Sequence, residues 1–308
     1  MSLGYHIRGV FVAKTRRDQY NRGDMGDAPL RGSSVTTQQP APVSPDLYTE
    51  EYFLTACEGY EDFLTSEGEN LSRRLKAAFE LAAVEPGMKV LDVACGRGEI
   101  VRHCALLGAD AYGFDYAHAA IRLSRQLMAR DRERATGRMA LAQAEAKHYP
   151  FPGGTFDRVL MFDIVEHLHP WELHASLLEA RRVLKGDGRL IIHTAPNVWY
   201  DRYAYPVVRR FRRLTGQGTH YPANPREFLV GHNIDVHVNE QSLFGLRRAL
   251  SRAGFKSRVW LDSPPQRRHE NAALVALRYA LFHWVPFRWF FEREVFAVAK
   301  KKTVSAPP

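Results

Sequence analysis

Between Lys89 and Ala195, short apolar runs alternate with longer stretches of helical periodicity, and this rhythm limits the chain to few folds. Lys89–Ala94 (KVLDVA) is short, apolar and rich in β-branched residues, the pattern of a strand buried on both faces. Further strands are expected at Asp110–Asp115, Met139–Ala144, Phe156–Asp163 and Gly188–Ala195. Helices are expected at Gly98–Leu107, Ala117–Arg134 and Pro170–Leu184, with Pro170 suited to a first turn. Strands joined through helices imply right-handed βαβ units and an α/β, doubly wound, mostly parallel sheet. The rhythm breaks at 196–238, resumes with a helix at Glu240–Ala253 and a strand at Lys256–Leu261, breaks again at 263–291, and ends in Glu294–Lys300 (EVFAVAK). These runs make a seven-stranded sheet carrying helical insertions at 196–238 and 263–291.

The segment ahead of this pattern divides in two. Residues 14–46 are rich in Gly, Pro, Ser, Thr, Gln and Arg and run into PAPVSP, so residues 1–47 read as a disordered or loosely attached arm. From Tyr48 the aromatics Tyr52, Phe53, Tyr60 and Phe63 suggest short helices. Leu71, Leu75, Ala78, Phe79 and Ala82 then mark a longer one, stopped at Pro86-Gly87. Residues 48–308 are thus expected to form one domain.

Charge is unevenly spread. Residues 48–195 hold 18 basic and 22 acidic residues, a net of −4; residues 196–308 hold 19 and 8, a net of +11. The basic third could meet nucleic acid, an anionic membrane surface or an acidic small molecule. Three cysteines and no CxxC pair exclude a disulfide framework and a zinc ribbon. The opening MSLGYHIRGVFVAK lacks a long apolar run and a small-residue cleavage site, so a cytoplasmic location is expected. Leu274–Phe291 is apolar but broken by Arg278, His283, Pro286 and Arg288. That makes it a poor bilayer span and suits a lid helix or an interfacial one.

The chemistry gathers where strands end. Val90–Gly98 (VLDVACGRG) turns the first strand into the first helix, where glycines allow close backbone approach and the helix start offers free N–H groups. Ala94, Cys95, Gly96 and Gly98 form that turn; Ala94 replaces the first glycine of a dinucleotide fingerprint and the third is missing. Asp92 suits a ligand with an ammonium group or hydroxyls rather than a phosphate. Asp115 ends the second strand, placed to grip ribose hydroxyls. Glu145 and the Ala146 backbone follow the third strand and could read an adenine edge. Cys95 and Cys104 read as small buried apolar residues rather than nucleophiles.

In this order, LDVACGRGE, GFDYA, AEAKHYPFPGGTFDRVLMFDIVEHL and EARRVLKGDGRLIIHTAPN, the chain resembles the Rossmann-like (class I) S-adenosylmethionine-dependent methyltransferases, in particular the type 11, ubiquinone-biosynthesis-like group. The resemblance spans about residues 86–197, with an echo in 239–255 and the last strand. It implies a last strand antiparallel to the others and S-adenosylmethionine as cofactor. It places the turn at Ala94–Gly98 against the methionine part, Asp115 on the ribose, Tyr116 beside the adenine, Glu145 and Ala146 on the adenine edge, and Asp163 with Ile164 near the sulfonium.

Methyl transfer then needs an aligned acceptor and, for a hydroxyl, a proton acceptor. His167, just past the fourth strand, is the candidate base, with Glu166 beside it. Asp163, Glu166 and His167 together resemble a stretch that binds a divalent metal in ubiquinone-pathway O-methyltransferases. The acceptor pocket is expected from the N-terminal segment and the insertions, with His193, Asn197, Trp199, Tyr200, Tyr203, Tyr205, His220 and Tyr221 as candidates. The expected acceptor is a small or lipid-linked molecule, and the basic third suits an anionic one. It would be a hydroxyl of a glycan, glycolipid or natural-product-like compound, or alternatively a quinone precursor at the membrane surface. A nucleic-acid role is disfavoured: the fourth strand ends in FDIVEH rather than an Asn/Asp-Pro-Pro-aromatic loop, and no nucleic-acid module is evident.

Overall fold

In the computed structural model, the described residues are 39–214, 216, 218, 221–225, 233–262 and 272–302. The strands are β1 (Lys89–Val93), β2 (Asp110–Asp115), β3 (Met139–Gln143), β4 (Phe156–Phe162), β5 (Leu184–Thr194), β6 (Phe255–Leu261) and β7 (Val295–Lys301). They form one sheet in the order β3-β2-β1-β4-β5-β7-β6. β1 pairs in parallel with β2 on one edge (Val90 opposite Ala111) and with β4 on the other (Val90 opposite Arg158). The chain winds outward one way through β2 and β3 and then returns to β4, so the crevice between β1 and β4 is the topological switch point, where such sheets bind ligands. β7 runs antiparallel to both β5 and β6, as expected for the last strand.

The helices are α1 (Glu50–Thr55), α2 (Tyr60–Ser66), α3 (Arg73–Ala82), α4 (Glu99–Leu106), α5 (His118–Arg130), α6 (Pro170–Val183), α7 (Tyr205–Leu214), α8 (Asn233–Val236), α9 (Leu243–Arg252), α10 (Ala272–His283) and α11 (Phe287–Phe291). The sheet is buried on both faces. Leu91, Met161, Leu190 and Ile192 pack with α6 and α9 on one side; Val90, Leu160 and Ile191 pack with α3 and α4 on the other.

Three departures from the sequence pattern have local causes. α5 stops at Arg130 rather than Arg134, because Asp131 leaves the helix to pair with the buried Arg102. β5 begins at Leu184 rather than Gly188: Leu184 pairs with Phe156 across a bulge before the ladder resumes at Arg189. The arm is not loose throughout. Val43 O accepts from the Tyr116 hydroxyl at 3.3 Å and Pro40 O from Trp171 Nε1 at 3.2 Å, so residues 39–47 lie on the domain; residues 1–38 lie outside the described part. The first insertion does carry its own helices, a π-type turn at Tyr200–Ala204, then α7 and α8. The second carries α10 and α11.

Candidate active site

A cavity of about 1100 Å³, part of it open to solvent, lies at the carboxyl ends of β1, β2 and β4.

Its floor is the turn after β1. Ala94, Gly96 and Gly98 all have positive φ, at 57°, 50° and 83°. A side chain at Gly98 would strike Ser124, whose Oγ is 2.8 Å from the ideal Cβ position. Ser124 in turn ties the turn down by donating to Gly96 O at 2.7 Å. α4 starts at Glu99 with no side-chain cap, which leaves its first N–H groups facing the cavity end. Cys95 and Cys104 are buried with thiols pushed well up by burial, the inert apolar role expected of them.

Two carboxylates stand at the strand ends. Asp115 is buried; its Oδ1 accepts from Ala117 N at 2.9 Å and its Oδ2 from Gly96 N at 3.1 Å. Burial outweighs those bonds and pushes its carboxyl up to about 6. Asp92 also lines the cavity and is raised well above the usual carboxylate range by burial and by Asp115 and Glu99 nearby. Two buried carboxylates held up against ionisation fit a ligand that brings hydroxyls and a cation. Tyr116 and Ala146 line the wall. Glu145 sits at the rim, more than half exposed and paired to Lys147 Nζ at 2.7 Å. Asp163 and Ile164 also line the cavity. Asp163 takes a positive φ of 51°, and its Oδ1 stands 2.8 Å from His193 Nδ1. Burial opposes charge on both, yet each holds the other ionised: Asp163 falls well below its ordinary value, and His193 rises to about 9.

His167 lines the cavity; Glu166 does not. Glu166 turns away to accept from Thr194 Oγ1 at 2.7 Å, so the structure does not bring it to the reacting region. His167 is buried, with Nδ1 3.0 Å from the Tyr48 hydroxyl. Its ring also bonds the Val236 backbone, which leaves Nδ1 to accept from Tyr48. Burial, then the adjacent His237, lower it to about 3, so it is neutral at ordinary pH. The suggested metal set does not converge. The groups within ligand spacing are Glu166, His167 and His237, with Asp163 held elsewhere. Glu166 accepts from Thr194 and His167 Nδ1 faces Tyr48, so two of these three side chains are committed to protein partners.

The acceptor side differs from expectation. None of His193, Asn197, Trp199, Tyr200, Tyr203, Tyr205 or Tyr221 lines the cavity, and His220 lies outside the described residues. These aromatics pack among themselves: Trp199 stacks on Phe290 at 5.4 Å, and Asn197 Nδ2 donates to Trp289 O and Glu292 O, each at 2.9 Å. The N-terminal segment does line the cavity as expected, roofing it through Val43, Tyr48, Tyr52 and Phe53. One side chain unforeseen from the sequence fastens that roof. The buried Arg97 donates to Phe53 O at 2.7 Å and Glu58 O at 2.6 Å while pairing with Glu99 at 2.8 Å. Its signal was a lone cation between the two glycines of the turn.

The fold and this crevice define a class I methyltransferase. A family of methyltransferase domains matches residues 91–192. The ubiquinone/menaquinone biosynthesis C-methyltransferase UbiE of Rhizobium johnstonii is 30% identical over 188 residues, 57% of this chain and 67% of that protein. Its namesake from Teredinibacter turnerae is 29% identical over 190 residues, 58% and 72%. Among solved structures, the PH0226 protein of Pyrococcus horikoshii aligns with a TM-score of 0.52 at 21% identity, covering 82% of this chain and 99% of that one. The [4+2]-cyclase SpnF aligns at 0.52 and 16%, covering 85% and 97%. At such identity the structures speak for the fold alone, and the cyclase shows that the fold hosts more than one chemistry. The chain belongs to the S-adenosylmethionine-dependent methyltransferases, related to the UbiE group, and S-adenosylmethionine is its cofactor.

Proposed function

We propose that the enzyme methylates a hydroxyl of a small acceptor with an apolar or aromatic body, such as a glycolipid or natural-product-like compound. The observation that carries this reading is the Tyr48–His167 pair, 3.0 Å apart and buried on the cavity wall. When bound, S-adenosylmethionine supplies an electrophilic methyl group. Asp115 and Asp92 would hold its hydroxyls and ammonium; Tyr116, Glu145 and Ala146 would face the adenine; the turn at Ala94–Gly98 would cradle the methionine part. Asp163, kept ionised by His193, and Ile164 would lie near the sulfonium.

The protein's own work is then alignment and removal of one proton. An acceptor hydroxyl beside Tyr48 would give its proton to the phenol oxygen while the phenol proton passes to His167 Nδ1. Burial holds His167 neutral, so its Nδ1 lone pair is open to the phenol proton, and the same burial makes it a weaker base than a free imidazole. Phe53, Leu75, Ile100 and Phe162 supply an apolar wall for the acceptor's body. The relatives favour a second reading, C-methylation of a quinone precursor.

A panel of hydroxylated acceptors with labelled S-adenosylmethionine tests this, the product's methyl position being read by NMR. An O-methyl product whose kcat falls roughly a hundredfold or more in Tyr48→Phe and His167→Ala, at unchanged cofactor affinity, supports it. A C-methyl product, or variants with wild-type kcat, overturns it.

A further inference from the structure

One unexplained feature of the described surface is apolar and lies on an arginine-rich helix. In α7, Val207, Phe211 and Leu214 recur at i, i+4 and i+7, on one face, and are 61%, 49% and 80% exposed. Tyr203 adds an exposed ring one turn earlier. Tyr205 lies on the opposite side of the helix and is buried, so the exposed stripe is not the core-facing one turned outward. Residues 202–214 contain five arginines and no acid; of these Arg202, Arg210 and Arg213 are exposed. A solvated basic helix accounts for the arginines but not for bare Val, Phe and Leu among them.

The second insertion continues the pattern. Trp284 and Val285, between α10 and α11, are 60% and 62% exposed, with Phe287 exposed beside them. The two insertions are joined: Phe290 of α11 stacks on Trp199 and meets Tyr203 edge-on at 5.7 Å. Both belong to the third of the chain that carries a net of +11. No helix among the described residues is long and apolar enough to cross a membrane.

We propose that α7 and the α10–α11 turn form an interfacial surface that docks the enzyme onto an anionic lipid bilayer. A helix with an exposed apolar stripe flanked by arginines buries that stripe among acyl chains while its cations meet lipid phosphates. Nucleic acid would use the arginines but gains nothing from valine and leucine, and a second copy would bring like charge against like. The acceptor cavity opens at the carboxyl ends of the strands, and the first insertion leaves β5 at its carboxyl end, so docking sets the catalytic side of the sheet near lipid. The surface stands whether or not Tyr48 and His167 receive the acceptor proton.

Flotation of the full chain with vesicles tests it. Binding is expected to vesicles containing phosphatidylglycerol, to weaken with salt, and to be slight on phosphatidylcholine alone. Arg210→Gln with Arg213→Gln should weaken partitioning roughly 25-fold, at about fivefold per cation near the surface. Phe211→Ser with Leu214→Ser should lower it at least tenfold through lost apolar burial. These side chains are exposed, so melting temperature and cofactor affinity should not move. Absence of flotation at low salt overturns the proposal, as does equal flotation of the variants. So does a result in which the variants lose only binding to single-stranded RNA, or only self-association seen by light scattering.

Discussion

Asp115→Asn separates the cost of the cofactor site from its use. In the empty protein the Asp115 carboxyl is raised from 3.8 to about 6, because burial outweighs the bonds from Ala117 N and Gly96 N. A folded value above the unfolded one means stability is full below about 3.8 and is lost as pH rises through about 6. At about 1.36 kcal/mol per unit, the loss approaches roughly 3 kcal/mol. About half of it, ~1.4 kcal/mol, falls between about pH 5 and pH 8. Asparagine does not ionise, so it lacks this slope. Its amide does face a backbone N–H where an oxygen was, at a fixed cost of about 1–3 kcal/mol. Urea unfolding of both proteins without cofactor, across that pH range, cancels the fixed cost: the variant should gain on the wild type by about 1.4 kcal/mol as pH rises. Calorimetry with S-adenosylmethionine should move the other way. Loss of charge-assisted bonds to the ribose is worth about 1.5–3 kcal/mol, or roughly 10- to 150-fold in Kd at neutral pH. Wild-type affinity should also decline as pH falls through about 6, where Asp115 protonates. A stability difference that does not vary with pH, or an unchanged Kd, refutes the reasoning.

Other substitutions read out the rest of the site. Arg97→Ala strands Glu99 in the interior and frees the Phe53 and Glu58 carbonyls, so chemical denaturation should show a loss of about 3–5 kcal/mol. Arg97→Lys should restore only part of it, lacking the planar fork. Gly98→Ala forces a side chain onto a φ of 83° and into Ser124, at about 1–2 kcal/mol for the conformation and about 1–3 kcal/mol for the clash. Ser124→Gly is itself costly through its lost bond to Gly96 O, so the clash should appear as a coupling energy of about 1–3 kcal/mol in a double-mutant cycle. His167 is held at about 3, below its unfolded value, so its share of stability is lost as pH falls from about 6.5. Roughly 2 kcal/mol should disappear between about pH 7 and pH 5, and His167→Gln should flatten that slope in thermal melts.

The sheet was legible in the sequence because a strand buried on both faces has to be nearly all apolar. KVLDVA, FDRVLMFD and GRLIIHTA could be little else, and their ends carry the residues that face the crevice. Asp92 and Asp115 were readable from their places at the ends of buried strands, and Asp163 through the family resemblance; all three line the cavity. The roof was not. Tyr48, Tyr52 and Phe53 show a helical pattern, but nothing local says that the helix closes over β1, since Arg97, which holds it, is 44 residues from Phe53 in sequence. Aromatic density at 196–221 suggested an acceptor wall. There the rings satisfy one another, as in the Trp199–Phe290 stack, and composition alone does not distinguish a wall from a packed lid. Glu166 and His167 are neighbours that part company. The turn at Val165–His167 sends one side chain to Thr194 and the other to Tyr48, a divergence fixed by tertiary partners rather than by spacing.

The split of charge along the chain follows from the same geometry. In the proposed reading a cationic, hydroxyl-bearing ligand offsets the buried carboxylates of Asp92 and Asp115, so the mildly acidic half is the half that would face S-adenosylmethionine. The basic third gains nothing from that site, since none of its described arginines lines the cavity. Its charge is placed instead on α7, beside exposed apolar side chains, where only a partner both anionic and apolar satisfies the two together. The two halves are therefore complementary to different things. On the two proposals together, buried carboxylates would set what the enzyme carries, nearly independent of ionic strength, and an exposed, screenable surface would set where it works.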